Sequence, residues 1–309
     1  MRPESIEFHN GLPVRAFVRA GNQYPYHWHE ALEIVQVLKG SVNIGMGNDE
    51  LSMREGDVAI TNMGELHRMT GDGEDEILFL HIDPAFCRSV LPDRYLFLYC
   101  CSTYHEAQAP EKYGVLKDYI ARLAGLLGAD QRGADNGNLK KLLKEMLAYT
   151  VYNFDFLRWG FGTEPFDEKR VARLRQMARH TTSDAEVRLG LTALAAELGV
   201  SLQHISGDIK EKFGMSFQEL MCYGRCERAA RLLLGSGLRV VEIAEDCGFS
   251  DAKYLIKYFR RFFHATPSDF RKAHKADSAA LARQARYRDI PFDYAVRRLS
   301  AANAGDFIE

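Results

Sequence analysis

The chain of 309 residues has no apolar run near the roughly 18 residues that a membrane-spanning helix needs. Its N-terminus has no basic start followed by an apolar core. The first absence argues against a helical membrane protein and the second against a secretory leader, so a cytoplasmic protein with no membrane partner is expected. The six cysteines, at 87, 100, 101, 222, 226 and 247, include no Cys-x-x-Cys pair of the kind that zinc and redox sites use. Those at 222, 226 and 247 fall in predicted helices as small apolar fillers, and reduced thiols are expected. Net charge is nearly absent too, at −2. That value hides an asymmetry: residues 1–165 carry 16 Lys and Arg against 23 Asp and Glu, residues 166–275 carry 19 against 14, and the tail is balanced. A basic module behind an acidic front half suits a nucleic-acid binder whose other half does something else. With 46% hydrophobic residues the chain can build the cores of two domains or slightly more.

What is present is clearest between Val240 and Thr266. Val241, Ile243 and Ala244 sit at core-facing spacing on a first helix, Gly248 allows a tight left-handed turn, and Phe249 plugs the corner. Ser250 is placed to cap a second helix reaching Phe263, whose Leu255, Tyr258, Phe259 and Phe262 form one inward stripe. Lys253, Ile256, Lys257 and Arg260 share the outer face, a cationic strip suited to a major groove and its phosphates. The pattern predicts a helix-turn-helix.

A second copy lies upstream. Leu194-Ala-Ala-Glu-Leu-Gly199-Val-Ser201 matches Ile243-Ala-Glu-Asp-Cys-Gly248-Phe-Ser250 at an offset of 49 residues, and Ser216–Leu234 has the amphipathic pattern of a helix joining the two. From Leu191-Thr192 to Arg271 the landmarks run in order: Gly214-Met-Ser-Phe217, Arg228-Ala-Ala-Arg-Leu-Leu-Leu234, Ile243-Ala244, Gly248-Phe249-Ser250 and Thr266-Pro267-Ser268. This stretch resembles the DNA-binding region of the AraC/XylS family of transcription regulators. The resemblance implies two helix-turn-helix units, 192–212 and 240–263. DNA contacts are expected from Gln203, His204, Ser206 and Lys210 in the first, and from Ala252, Lys253, Ile256, Lys257, Arg260 and Arg261 in the second. The first recognition helix departs from the family at Gly207 and Asp208, where a basic and an apolar residue are usual, so it is expected to read fewer bases.

In the front half, short β-rich segments alternate with Gly, Asn and Asp: Arg15–Ala20, Ala31–Leu38, Ser41–Gly45, Asp57–Thr61 and Ile77–Ile82. This is the rhythm of a sandwich or barrel. Gly21-(x)5-His27-x-His29-(x)3-Glu33-(x)6-Gly40 resembles the first cupin motif at every spacing. The second motif is eroded: Gly56, Gly64 and His67 fit, whereas Asn62 replaces the usual proline and Gly71 the usual asparagine. The resemblance implies a small jelly-roll barrel, which is also what the ligand-binding half of the AraC/XylS family looks like. His27, His29 and Glu33 share strand parity, so on an unbroken strand all three point inward, to meet His67 from a later strand. Three histidines and a carboxylate suit a divalent metal such as zinc, manganese, iron or nickel. In a regulator they also serve as hydrogen-bonding lining for an organic effector, with no cofactor required, and that use is the one favoured. Trp28, of opposite parity, is expected to pack or to face the surface.

Leu116, Ile120, Leu123 and Leu127 form one helical stripe, and Leu139, Leu142, Leu143, Met146, Leu147 and Thr150 form another, across a polar break at Gly128–Asn138. The fold class is therefore multi-domain α+β. A cupin-like, effector-binding jelly-roll barrel (1–105) leads into a helical hairpin (106–159) that the family resemblance implies is a dimer contact. A linker (160–166) precedes an all-α DNA-binding domain with two helix-turn-helix units (167–275), opened by a helix over Asp167–His180. A C-terminal extension (276–309) has no assigned role; Leu281, Ala285 and Tyr287 hint at a helix, Ile290-Pro-Phe292 at a turn and Tyr294–Leu299 at a short helix.

Together these features imply a ligand-responsive, sequence-specific DNA-binding transcription regulator, an activator answering to a small polar metabolite such as a sugar. The partners implied are a double-stranded DNA operator, that effector, a second copy in a homodimer, and RNA polymerase. No catalytic residue is assigned and no enzyme is expected. The alternative is a metal-dependent cupin enzyme fused to a DNA-binding module, which metal analysis and turnover assays would separate from a regulator.

Overall fold

The computed structural model describes residues 6–9, 11–46, 49–90, 102–130, 136–154, 192, 195–196, 199–213, 216–274 and 286–304. The predicted linker 160–166 and the helix expected over Asp167–His180 lie outside them. Pro3–Asp155 and Ala279–Glu309 make one compact unit, and Phe156–Ser278 belong to the other.

The first unit is a nearly closed antiparallel β-barrel of the cupin kind. Its strands are β1 (Val14–His27), β2 (Leu32–Lys39), β3 (Ser41–Met46), β4 (Asp49–Arg54), β5 (Val58–Thr61), β6 (His67–Gly71) and β7 (Glu76–Ile82), in the order β4-β3-β6-β1-β7-β2-β5. The interior is filled by Val35, Val37, Val42, Ile44, Leu51, Met53, Met69, Ile77 and Phe79. Strand β4 is not among the segments expected from the sequence, and β6 is expected there only as the later strand that carries His67. Gly21, at φ +64, changes the parity of β1, so Phe17 and Arg19 before it and Tyr24 after it line one pocket. The eroded motif positions have local causes. A Cβ at Gly71 would lie 1.9 Å from the Asp75 Oδ1, and the Asn62 main-chain N–H, which proline lacks, donates to Glu65 Oε2 at 2.8 Å.

Helices follow: α1 (Pro84–Val90), α2 (Ser102–His105), then the antiparallel pair α3 (Pro110–Asp130) and α4 (Asn136–Phe154). The stripes meet as expected, with Tyr113, Leu116, Ile120 and Leu123 of α3 and Leu139, Leu143, Met146 and Leu147 of α4 all buried.

In the second unit, α5 (Leu202–Phe213) ends the first helix-turn-helix, and α6 (Phe217–Gly235) joins it to α7 (Val240–Asp246), α8 (Ala252–Phe263) and α9 (Pro267–His274). Ser216 and Glu219 form a reciprocal capping box at the start of α6. The repeat is visible in the hydrogen bonds. Gly199 N–H donates to Ala196 O at 3.2 Å and Val200 N–H to Ala195 O at 3.0 Å; 49 residues on, Gly248 donates to Glu245 O at 2.9 Å and Phe249 to Ala244 O at 2.8 Å. Both glycines are left-handed, at φ +64 and +76. Phe270 meets the stacked pair Phe259 and Phe263 edge-on at 5.3 and 5.5 Å and so holds α9 against α8. Two local expectations are corrected. Val241 is 62% exposed, so Ile243 and Ala244 anchor α7 without it. Asp251 rather than Ser250 caps α8, its carboxylate accepting from the Lys253 N–H at 2.7 Å, because the helix starts one residue later than the spacing suggested. Cys87, Cys222, Cys226 and Cys247 are buried free thiols, and burial pushes Cys87 up to about 12.

The chain then returns to the barrel unit. β8 (Arg286–Ile290) pairs antiparallel with β1, Val18 facing Ile290 and Gln23 facing Arg286, and α10 (Phe292–Ala304) packs on α3. Tyr287 is thus on a strand rather than on the helix its spacing hinted at; the free edge of β1 supplies ladder partners that only an extended chain can use. Leu281 and Ala285 lie outside the described residues. α10 buries Ala295 and Leu299, and Val296 Cγ2 approaches so close to Gly128 that a Cβ there would sit 2.9 Å away.

Candidate functional site

The barrel interior gathers five polar side chains among apolar ones. The strand expected to carry His27, His29 and Glu33 is broken at residues 28–31, so His27 ends β1, His29 lies in the connection and Glu33 is the second residue of β2. Trp28 is buried and packs. His67 opens β6. The three histidines still converge: ligand atoms of His27, His29 and His67 lie within 4.8 Å of one another, as do those of His29, Glu33 and His81. His81 was not singled out from the sequence. The signal was there, as the lone polar side chain in the apolar run Leu78-Phe-Leu-His81-Ile82 of a predicted strand.

Main-chain carbonyls fix the ring orientations. The Nδ1–H groups of His27, His29 and His67 donate to Pro25 O, Ala31 O and Glu65 O at 2.9–3.0 Å, which leaves Nε2 of each as the atom that can meet a ligand. His81 Nε2 donates to Glu33 Oε2 at 2.7 Å. His29 Nε2 is 3.5 Å from Glu33 Oε2, and His67 Nε2 is 3.6 Å from Glu33 Oε1.

Electrostatics set the protonation states. Burial is the largest influence on His67 and draws it down to about 4, against the pull of Glu33. Burial and then the neighbouring His67 hold His27 well below its ordinary value. Burial alone would raise Glu33, but the neighbouring His29 and His81, the latter through its hydrogen bond, outweigh it and hold the carboxyl well below the usual range. At neutral pH an ionised carboxylate therefore faces neutral His27 and His67.

This donor set fits a divalent metal. Glu33 Oε1 and His67 Nε2 are buried acceptors with no hydrogen-bond partner, and a cation between them would satisfy both. Their spacing is close to the roughly 3.4 Å that separates two ligands of a tetrahedral metal with bonds near 2.1 Å. The surrounding cavity, lined also by Phe17, Arg19, Tyr24, Met69 and Phe79, has a volume of about 20 Å³, room for a single water molecule.

The second unit presents the other candidate surface. On α8, Lys253, Lys257, Arg260 and Arg261 are exposed on one face, Ala252 and Ile256 are partly exposed, and Leu255, Phe259, Phe262 and Phe263 are buried opposite. Arg261 pairs with Glu219 at 2.5 Å and so is engaged within its own domain. Tyr254, not anticipated, is exposed beside Lys253. On α5, Gln203, His204, Ser206, Gly207 and Lys210 are all exposed, around a buried Ile205.

Comparison with known proteins agrees with this layout. The family model described as a helix-turn-helix domain matches residues 194–273, and a cupin domain model matches residues 15–83. The HTH-type transcriptional activator RhaS of Escherichia coli O1:K1 / APEC is 23% identical over 256 residues, spanning 81% of this chain and 88% of that protein. Among solved structures, ToxT from Vibrio cholerae O395 aligns over 85% of this chain and 98% of its own at 14% identity, with a TM-score of 0.41. The C-terminal domain of AraT from Geobacillus stearothermophilus aligns over 37% of this chain and 93% of its own at 27% identity, with a TM-score of 0.32.

A cupin barrel and a double helix-turn-helix in one chain define a DNA-binding transcription regulator with a ligand-binding domain. The chain resembles the AraC family of such regulators, with its two halves matching a cupin domain model and a helix-turn-helix domain model. Among the described residues no helix is long and apolar enough to cross a membrane.

Proposed function

We propose that this regulator is an activator whose ligand site is the cluster of His27, His29, Glu33 and His67, with His81 positioning Glu33. The observation that carries the reading is the set of fixed Nε2 atoms facing an ionised, buried Glu33 inside a one-water cavity. A divalent metal suits that space; a whole sugar ring does not. When bound, the metal supplies a Lewis-acidic anchor for oxygen atoms. The chain's own residues do the rest: the carbonyls of Pro25, Ala31 and Glu65 hold the ring tautomers, and Phe17, Met69 and Phe79 exclude water. A small polar metabolite, such as a sugar, would reach the cluster with one oxygen-bearing group and leave its body towards Arg19 and Tyr24.

Activation is supported by the likeness to RhaS, which is named an activator. It goes with a homodimer on a double-stranded operator and contact with RNA polymerase. The domain limits proposed are a ligand-binding barrel and hairpin up to 159, a linker at 160–166 and a DNA-binding domain at 167–275. Gln203, His204, Ser206, Lys210, Ala252, Lys253, Ile256, Lys257, Arg260 and Arg261 are proposed to face DNA, with α8 dominant because its face holds more cationic side chains. An enzymatic role is not proposed, as the relatives found are regulators. Metal analysis of the purified chain, with calorimetric titration of zinc into the wild type and into Glu33→Gln, tests the site. Binding that survives Glu33→Gln unchanged removes the cluster from this reading.

A further inference from the structure

The return of the C-terminal tail to the barrel has a chemical consequence at the pocket. Arg19 and Tyr24 form part of the pocket wall, and both are held from outside by β8. The Tyr287 ring stacks on Tyr24 at 5.3 Å with the planes 9° apart, and the Arg19 guanidinium lies 3.8 Å from the Tyr287 ring centre and 4.5 Å from that of Phe17. Arg19 Nε donates to Asp289 Oδ1 at 3.1 Å, and Arg19 also donates to the Tyr24 hydroxyl. A guanidinium gripped between two rings and a carboxylate has little freedom to swing. Asp289 itself is largely exposed, as are Arg286–Asp289 of β8, with only Ile290 half-buried, so solvent screens this grip and each contact is weak. α10 is docked far more firmly, with Ala295 and Leu299 buried and Arg298 donating to Leu38 O at 2.8 Å. The tail thus has a fixed anchor and a peelable strand.

We infer that β8 is a latch on the ligand pocket: Tyr287 and Asp289 position Arg19 and Tyr24 as the wall that keeps the cavity at one-water size, and an organic ligand gains access when β8 lifts from β1. This deepens the proposed function and rests on the barrel being the ligand site. In chain order the DNA-binding unit lies between the two parts of the ligand unit, and β8 is the first described element after the chain re-enters the barrel unit. A ligand whose anionic group takes the Arg19 guanidinium would compete directly with Asp289 and so favour release.

The test uses the full chain and diethylpyrocarbonate, which acylates accessible neutral imidazoles and needs no knowledge of the ligand. Acylation of His27, the partly exposed histidine of the cluster, is followed by mass spectrometry in the wild type, in Tyr287→Ala/Asp289→Asn, and in Arg288→Pro, which breaks the strand by a different route. The expected result is a several-fold faster modification of His27 in both variants, with His9, outside the barrel, unchanged. An unchanged His27 rate in both overturns the latch. Zinc titration of the same proteins separates the two readings: a wild type and variants that all fail to bind zinc remove the metal from the proposed function, while the His27 rates still decide the latch.

Discussion

Glu33 and His81 face each other across the ladder between β2 and β7, and their side chains meet at 2.7 Å with neither more than 5% exposed. The pair joins the first cupin motif to a strand that the motif does not include. It makes the carboxylate a fixed, charged acceptor rather than a mobile one.

Replacing His81 by Leu leaves a buried carboxylate without its shortest partner. The expected loss is about 3 kcal/mol of stability in the barrel unit, read by urea unfolding. Glu33→Gln/His81→Leu should be less destabilised than His81→Leu alone, since the uncompensated charge has gone. Equal losses in both would show that packing, not charge, governs the site.

Acid should weaken the metal-free barrel in a defined window. The folded value of His67 is about 4, below an ordinary value of 6.5, so the folded state binds fewer protons than the unfolded state between these limits, and stability falls as pH drops through them. The full effect is on the order of 3 kcal/mol. Chelator-treated wild type and His67→Gln, unfolded at pH 7 and pH 4.5, should differ in slope, the variant being flatter. Parallel slopes would contradict the assignment of His67 as a buried neutral group.

Gly71→Asn would restore the residue usual in the second cupin motif, yet it should destabilise. The new Cβ falls on the Asp75 carboxylate, which accepts from the Asn22 main-chain N–H at 2.9 Å and its side-chain amide at 2.6 Å. A loss of about 1–3 kcal/mol is expected from overpacking alone. A melting temperature at or above that of wild type would mean that this corner is free to rearrange.

On DNA, Lys257→Ala should cost about 1–3 kcal/mol and relax preference at one or two base pairs, whereas Arg260→Ala should weaken all sequences alike and flatten the salt dependence. Arg261→Ala should matter less, because Glu219 already holds that guanidinium. Alanine at Gln203 and His204 should cost less than alanine at Lys253 and Lys257. Gel-shift titrations on a sequence selected from a random pool by the full chain would read all four comparisons, and a larger effect at the first helix would reverse the ranking.

The double helix-turn-helix was legible because its signals are local: a glycine at a left-handed turn, a periodic apolar stripe and a repeat at fixed offset. Gly199 and Gly248 need nothing outside their own turns to be recognised. The barrel was legible as a class through the spacing of His27, His29, Glu33 and Gly40. His81 escaped because its role depends on register with Glu33, a pairing between strands nearly fifty residues apart that local spacing cannot reveal. Tyr287 was misread for a similar reason. Arg-Tyr-Arg-Asp-Ile has no strand alternation of its own, and only the free edge of β1 makes it extend.

The most direct test of the account is DNA affinity under control of the barrel. For the full chain on its selected sequence, dissociation constants are measured with zinc and with chelator, for wild type and Glu33→Gln. The account predicts a change of about tenfold or more between the two conditions in wild type, equivalent to roughly 1.4 kcal/mol of coupling, and little or none in Glu33→Gln. Wild-type affinity that is the same in zinc and in chelator, with zinc shown to occupy the cluster, would contradict it.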